Sequence, residues 1–549
     1  MKNFLFLLGL LTGALTVSAA ERPATKMRQV ALRTLNNASA KQVLSKPTLE
    51  VYSDGARFSI VSRDDRFPEV LAYGVGRFDI EQAPANVRWW FDRIQRSMEE
   101  AVRENAPRRV TRSYAPIAPL METKWGQGAP YNNYTPIVGG EKTPTGCVAT
   151  AMAQIMNYQR FPAEANFEGS YTANDNSYTE TVSTTYFWPY QLAYGPYLPT
   201  ADAQAENMSY TFPQGNKVAQ LLRDCGYAVD MIYDVDGSGA YTYMSGVALV
   251  EKFSYPQKSV KYLIRDYYAD DEWMNMLYTE LENDSPVLYS GYSDGSGGHA
   301  FVFHGMDSEG RFFVNWGWQG QFDGYYAFDV LTPGKNDFSE LEDVVIGIRP
   351  TALSTDAILS CFATDIPYKI SYDNTTKKLN FEFLGDIFNA TSRTFTGRWC
   401  LVVEDMEQPD NTEYFDLFEF DDEENALLPM WGFNSWSDSD KLTFKPGAYH
   451  VYFATLDVGE ENWQYMRTIG GAFYYDMTVA ADGTVTIADV PTFTASSEIP
   501  SAIHEIRQQP AAVSSEVRYY DLQGRELSSP AQGFIIRRQG NETKKIMVK

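Results

Sequence analysis

The sequence predicts an α+β chain built in several parts, and three observations predict it. Helical periodicities gather early in residues 113–350 and strand patterns late. Residues 21–112 mix both patterns in a smaller span, and residues 351–500 alternate apolar and polar positions with no helical period. Helices in one half and antiparallel strands in the other are an α+β arrangement. A length of 549 residues fits about three or four such units.

The elements follow in order. Lys2, the apolar run Phe4 to Leu15 and the small residues Val17-Ser18-Ala19-Ala20 make residues 1–20 a secretory signal. Within 21–112, Gly55 to Val61 and Val70 to Tyr73 read as strands. Asn86 to Val102 reads as a helix, and a basic stretch with Arg103, Arg108, Arg109 and Arg112 follows, broken by Pro107. In 113–350, Val148, Ala151, Met152, Ile155 and Met156 fall at i, i+3, i+4, i+7 and i+8, one face of a helix over 146–159. Thr145-Gly146 starts it and Phe161-Pro162 stops it. Further helices are expected at Gly215–Cys225 and Asp271–Asn283, with strands from Pro286 onward. Gly291 to Gly298 reads as a glycine-rich loop, and Ala300 to Phe303 as a short buried strand after it.

Residues 351–500 carry alternating runs such as Lys378 to Phe383 and His450 to Ala454, with an acidic turn at Glu419 to Glu424. Regular strand spacing fits an immunoglobulin-like β-sandwich. Residues 501–549 hold more short strand-like runs, among them Gly533 to Arg538 and Lys544 to Lys549.

The chemistry centres on Cys147. It opens the 146–159 helix, where unpaired amides and the helix dipole favour a thiolate. His299 lies in Gly297-Gly298-His299-Ala300, and the chain has only four histidines. A third segment follows at Val314-Asn315-Trp316-Gly317-Trp318. A thiol, an imidazole and a polar orienter are the parts of a nucleophilic site. His304 lies an odd number of strand positions from His299, so it points to the opposite face and reads as structural. Asp234 to Gly239 mimics the opening of a calcium loop. Its twelfth place is Ser245, where a bidentate glutamate is needed, so a glycine-rich loop beside the site is the better reading.

Here the chain resembles the streptopain-like cysteine peptidases, a branch of the papain-like fold. The resemblance rests on Lys124 to Asn132, Thr145 to Gln154, Gly298 to Val302, Phe313 to Trp318 and Ile346 to Pro350. Gln319 and His304 depart from the pattern, away from nucleophile and base. The resemblance implies an endopeptidase in which Cys147 attacks, His299 is the base, and Asn315 or Trp316 orients or shields the imidazole. Gln127 would complete the oxyanion hole with the Cys147 amide. It also implies that 21–112 is an inhibitory propeptide, that 113–350 is the catalytic domain, and that the nick falls near Arg103 to Tyr114. The 501–549 segment, with Tyr519-Tyr520-Asp521-Leu522-Gln523-Gly524, resembles the C-terminal sorting domain of type IX secretion cargo. That implies the type IX machinery as a partner and a secreted or cell-surface destination.

Composition bounds the alternatives. A net charge of −25 argues against nucleic acid and against an anionic membrane surface as partners. No run after the signal is long enough to span a bilayer. Protein or peptide substrates are expected, with no cofactor and no metal. Of the cysteines, Cys147 is needed free, so Cys225, Cys361 and Cys400 allow at most one disulfide, and Cys361–Cys400 is the expected pair. The competing class is a surface-binding or adhesive protein that keeps such a domain without turnover.

Overall fold

The computed structural model describes residues 21–106, 113–188, 212–293, 297–329, 340–420 and 426–494, and four strands between 517 and 548. The expected signal, the nick region 107–112 and most of the 501–549 loops lie outside them.

The N-terminal segment begins with α1 (Ala24–Leu35). It buries Met27, Val30, Ala31 and Leu35 against Tyr52, Val61 and Val70. Four antiparallel strands follow: β1 (Lys41–Ser45), β2 (Leu49–Ser53), β3 (Arg57–Ser62) and β4 (Val70–Val75). Then comes α2 (Ala85–Arg103), whose buried side carries Trp89, Trp90, Phe91, Ile94 and Met98. These apolar positions recur at helical spacing, so the helix folds to bury one stripe.

The central region supplies α3 (Cys147–Gln159), α4 (Phe212–Ala228), α5 (Thr242–Glu251) and α6 (Asp270–Glu282). Its main strands are β5 (Lys261–Ile264), β6 (Val287–Ser293), β7 (Gly297–Met306), β8 (Phe312–Asn315), β9 (Gly324–Tyr326) and β10 (Glu340–Ile346). With the N-terminal strands they form one ten-stranded sheet, in the order β1-β2-β3-β4-β9-β8-β7-β6-β10-β5. The join is the β4–β9 pair, where Gly74 faces Gly324. A Cβ on Gly324 would stand 2.3 Å from the Tyr73 carbonyl oxygen, so only glycine allows this approach.

Within the predicted loop over 291–298, residues 291–293 and 297–298 are strand. β6 and β7 pair along their length, and Gly291 lies opposite His299. Glycines weaken a strand taken alone, but two well-paired apolar strands carry these residues into the ladder. His299 is thus the third residue of a strand rather than the mouth of a loop.

The described residues beyond 350 fold mainly as β-structure. An 11-stranded sheet, with Gly397–Asp405, Gly447–Asp457 and Gly471–Val479 at its centre, packs over a three-stranded sheet of Lys369–Asp373, Lys378–Glu382 and Ser437–Lys441. Tyr368, Phe381, Phe383, Trp399, Phe453 and Phe473 fill the space between them. The four terminal strands pair antiparallel in a separate small sheet.

All four cysteines are free, so the expected Cys361–Cys400 pair is wrong. The two lie in different cores. Cys361 joins the large cluster of the central region, and Cys400 joins a small outer one, where its thiol donates to Asp416 at 3.0 Å.

Candidate active site

The turn before α3 places Cys147. Thr145 is fully buried and donates its amide to the Gln127 carbonyl at 3.1 Å. Its hydroxyl meets that of Thr150 at 2.8 Å, and Thr150 donates in turn to the Gly146 carbonyl at 2.8 Å. Gly146 has φ 85°, and a Cβ there would stand 2.6 Å from the Met231 side chain, so glycine is required. Cys147 is therefore the first residue of a helix whose entry is held on all sides.

The Cys147 thiol lies against β7 and accepts from the Ala300 amide. Burial pushes its pKa up, and the amides of Ala300, Val148 and Cys147 oppose that push without overcoming it. The thiolate expected from the helix terminus is thus not favoured in this state, because desolvation outweighs the dipole.

Cys147 and His299 meet at one cavity, reached from opposite sides of a strand pair. Ser290, Tyr292, Gly298 and Ala300 line a cavity of about 910 Å³ with Cys147, and His299 borders it as well. Side chains at odd offsets from Ala300 face the other side of the sheet. That side holds Phe301, and there α2 lies across the strands. Trp89 sits on Gly291, where a Cβ would come within 2.1 Å of its ring, and its ring centroid is 6.0 Å from that of Phe301. The cross-strand partner of His299 thus has its side-chain space filled by an N-terminal tryptophan.

Asn315 and Trp316 part company. Asn315 is buried and donates to the Thr123 carbonyl at 2.7 Å and to Gln154 Oε1 at 3.0 Å. Its own oxygen accepts from Gln154 Nε2 at 3.2 Å and from the Gly317 amide at 3.0 Å. These four bonds turn it toward α3. Trp316 packs on Phe301 with centroids 4.6 Å apart, on the parity of His299. Gln127 is half-buried and tied by its carbonyl to the turn before Cys147. His304 lies opposite, accepting from the Met121 amide at 3.1 Å, and burial pushes its pKa down to about 3. The Asp234–Gly239 loop contributes Gly237 and Gly239 to the cavity wall.

Three supporting residues escaped the sequence reading. Gln154 is legible as a polar residue between the apolar pairs Met152-Ala153 and Ile155-Met156 of its helix. Asp323 accepts from the Trp316 amide at 3.1 Å, and burial pushes its carboxyl up to about 7. Asn86 donates to the Trp316 carbonyl at 2.8 Å and accepts from the Trp318 indole at 3.1 Å. Neither Asp323 nor Asn86 has a local sequence signal, since each acts across more than one element.

Residues 125–326 match the model of the peptidase C10 family. The chain is similar to the thiol protease/hemagglutinin PrtT of Porphyromonas gingivalis, 32% identical over 412 residues, 65% of this chain and 45% of that one. It thus spans less than half of that relative. It is also 32% identical over 345 residues to streptopain of Streptococcus pyogenes, 56% of this chain and 82% of streptopain. A prointerpain A fragment from Prevotella intermedia superposes with TM-score 0.51 at 30% identity, covering 57% of this chain and 99% of the fragment. Fold and site together define a class, the cysteine peptidases with an N-terminal prodomain. Within that class the chain belongs to the peptidase C10 family.

Proposed function

We propose that this chain is a secreted cysteine endopeptidase made as a latent zymogen, with Cys147 as nucleophile and His299 as base. The observation that carries this is the Cys147 thiol at the start of α3, against the strand of His299, in a large cavity within the family's matched span. In the active form His299 takes the thiol proton. The thiolate adds to the scissile carbonyl, and the oxyanion is held by the Cys147 amide and the Gln127 side chain. His299 then protonates the leaving amine, and water hydrolyses the acyl-enzyme. Trp316 shields the imidazole, while Asn315 positions β8 through Gln154.

Latency belongs to residues 21–112. Burial of the thiol and the Trp89 ring on Gly291, the cross-strand partner of His299, support a prosegment that holds the site in a resting state. Cleavage between Arg103 and Tyr114 would free α2. Residues 113–350 would form the catalytic domain, 351–500 an immunoglobulin-like sandwich, and 501–549 a type IX sorting domain that directs export after a signal at 1–20.

Labelling the processed protein with a peptidyl fluoromethyl ketone should modify Cys147. Cys147→Ala should lower peptide hydrolysis by about 10⁴-fold or more, and His299→Ala by nearly as much. Normal casein cleavage by purified Cys147→Ala would end the assignment. Deleting the chain from Ser515 should leave activity intact and retain the enzyme in its host's envelope; normal appearance outside the cell would remove the sorting role.

A further inference from the structure

The β-region beyond residue 350 is seated on the wall of the Cys147 cavity, and the contact is specific. Arg467 comes from this region and is 1% exposed. Its guanidinium bonds Glu272 of α6 at 2.7 and 3.2 Å, and the Tyr267 carbonyl at 2.8 Å. It also stacks on the Tyr268 ring with 4.0 Å to the centroid. A planar fork that pairs a carboxylate and covers an aromatic face is what arginine does and lysine does not.

The segment so held is the short turn Arg265–Tyr267. Its middle residue, Asp266, lines the cavity that holds Cys147 and His299. The same turn takes further contacts from the β-region. The Gly470 amide donates to the Asp266 carbonyl at 2.7 Å. The Tyr267 hydroxyl donates to Asp365 at 2.5 Å, and its ring lies 5.8 Å from that of Phe388. On α5, whose first turn supplies the cavity residues Thr242 to Met244, Ser392 presses on Gly246, where a Cβ would meet its hydroxyl at 2.3 Å. Two adjacent carbonyls of one cavity-lining turn are thus fixed by donors from outside the central region.

We propose that the β-region is a working part of the substrate site, and that Arg467 is a positioning residue that fixes the Arg265–Tyr267 turn, and Asp266 with it, in the cleft wall. This rests on the reading of Cys147 and His299 as the reactive pair. A buried arginine with one carboxylate and one carbonyl has a single geometry, so a turn tied to it cannot drift. Substrate binding then depends on a residue that touches no substrate.

The test uses the full chain, processed under identical conditions, with Arg467→Lys and Asp365→Ala. Lysine keeps the charge and loses the fork; Asp365→Ala removes a half-buried carboxylate and should not prevent folding. KM for an extended peptide should rise about tenfold in Arg467→Lys and less in Asp365→Ala, with kcat unchanged, the signature of lost binding rather than lost chemistry. Alkylation of Cys147 by iodoacetamide should keep its wild-type rate. Unchanged KM in both variants overturns the proposal, as does a matched fall in kcat and alkylation rate. If iodoacetamide does not inactivate the wild-type enzyme, the Cys147 reading fails instead, and the two failures are told apart.

Discussion

Two additions flank the peptidase core, and they are attached in opposite ways. The N-terminal segment extends the sheet through β4–β9 and lays α2 over the strand of His299. The β-region shares no strand with that sheet and docks through a buried Arg467–Glu272 pair. The first covers the strand of His299 with a tryptophan. The second braces a wall from behind. An attachment that must be released can cover the site, whereas one that persists must support it. Several polar contacts of α2 fit release: Asn86 meets the Trp316 carbonyl and the Trp318 indole, Trp90 the Ala327 carbonyl, and Arg93 lies 4.0 Å from the Glu342 carboxylate. Water can replace each of these once the chain is cut.

The sharpest way to break this contrast is at Trp89. Trp89→Ala removes the ring from Gly291, and Phe or Trp truncations in cores cost about 3–5 kcal/mol. The uncut chain should then hydrolyse peptides at least about tenfold faster than uncut wild type, read as initial rates before cleavage shows on a gel. Gly291→Ala should act the same way from the other side, since its Cβ would collide with the same ring. If both uncut variants stay silent, α2 does not hold the enzyme off by this contact.

A smaller effect sits at the join itself. Asp323 lies where β4 meets β9, and its carbonyl accepts from the Val75 amide at 3.0 Å. Burial raises its carboxyl to about 7, against about 3.9 in an unfolded chain. A raised folded pKa means that the stabilisation is complete below about pH 4 and is lost as pH rises through 7. Asp323→Asn keeps an acceptor for the Trp316 amide, so it should change little at pH 4 and stabilise by about 2–4 kcal/mol at pH 8. Thermal melts of the uncut variant at both pH values check this. A gain of equal size at pH 4 would show that the carboxyl does not titrate as argued. His304 runs the other way: its folded pKa of about 3 gives stability present above about 6.5 and lost as pH falls through 3.

The smallest effect should come from Gly246, the counterpart of Gly291 beneath the β-region. Its neighbour is a serine side chain rather than an indole. Alanine also favours a helix by up to about 1 kcal/mol over glycine, so Gly246→Ala should move the melting free energy by less than about 1 kcal/mol. A large loss there, measured by denaturant unfolding, would show the two docking faces to be equally tight.

The two histidines show how far a sequence reaches. Parity along one strand separated His304 from His299, because a strand period of two needs no other information. The helix behind Cys147 was equally legible, since its apolar residues recur at helical spacing and its start and stop are local. The burial that raises the Cys147 pKa was not, because the helix terminus is visible in sequence and the desolvation around it is not. Glycines at 291, 297 and 298 suggested a loop by composition, and pairing with neighbouring strands overrode them.

The sequence by itself determined the elements, the order of the motifs and the residue types available for thiol chemistry, since each depends on neighbours within one turn or one strand. The tertiary structure alone decided that Asn315 faces Gln154 rather than the face of Phe301 and Trp316, that Trp89 lies opposite His299, and that Arg467 reaches the turn beside the cavity. The Asn315–Gln154, Trp89–Gly291 and Arg467–Tyr267 contacts join residues 161, 202 and 200 positions apart. No local pattern encodes them, because they arise only when separate faces are buried against one another.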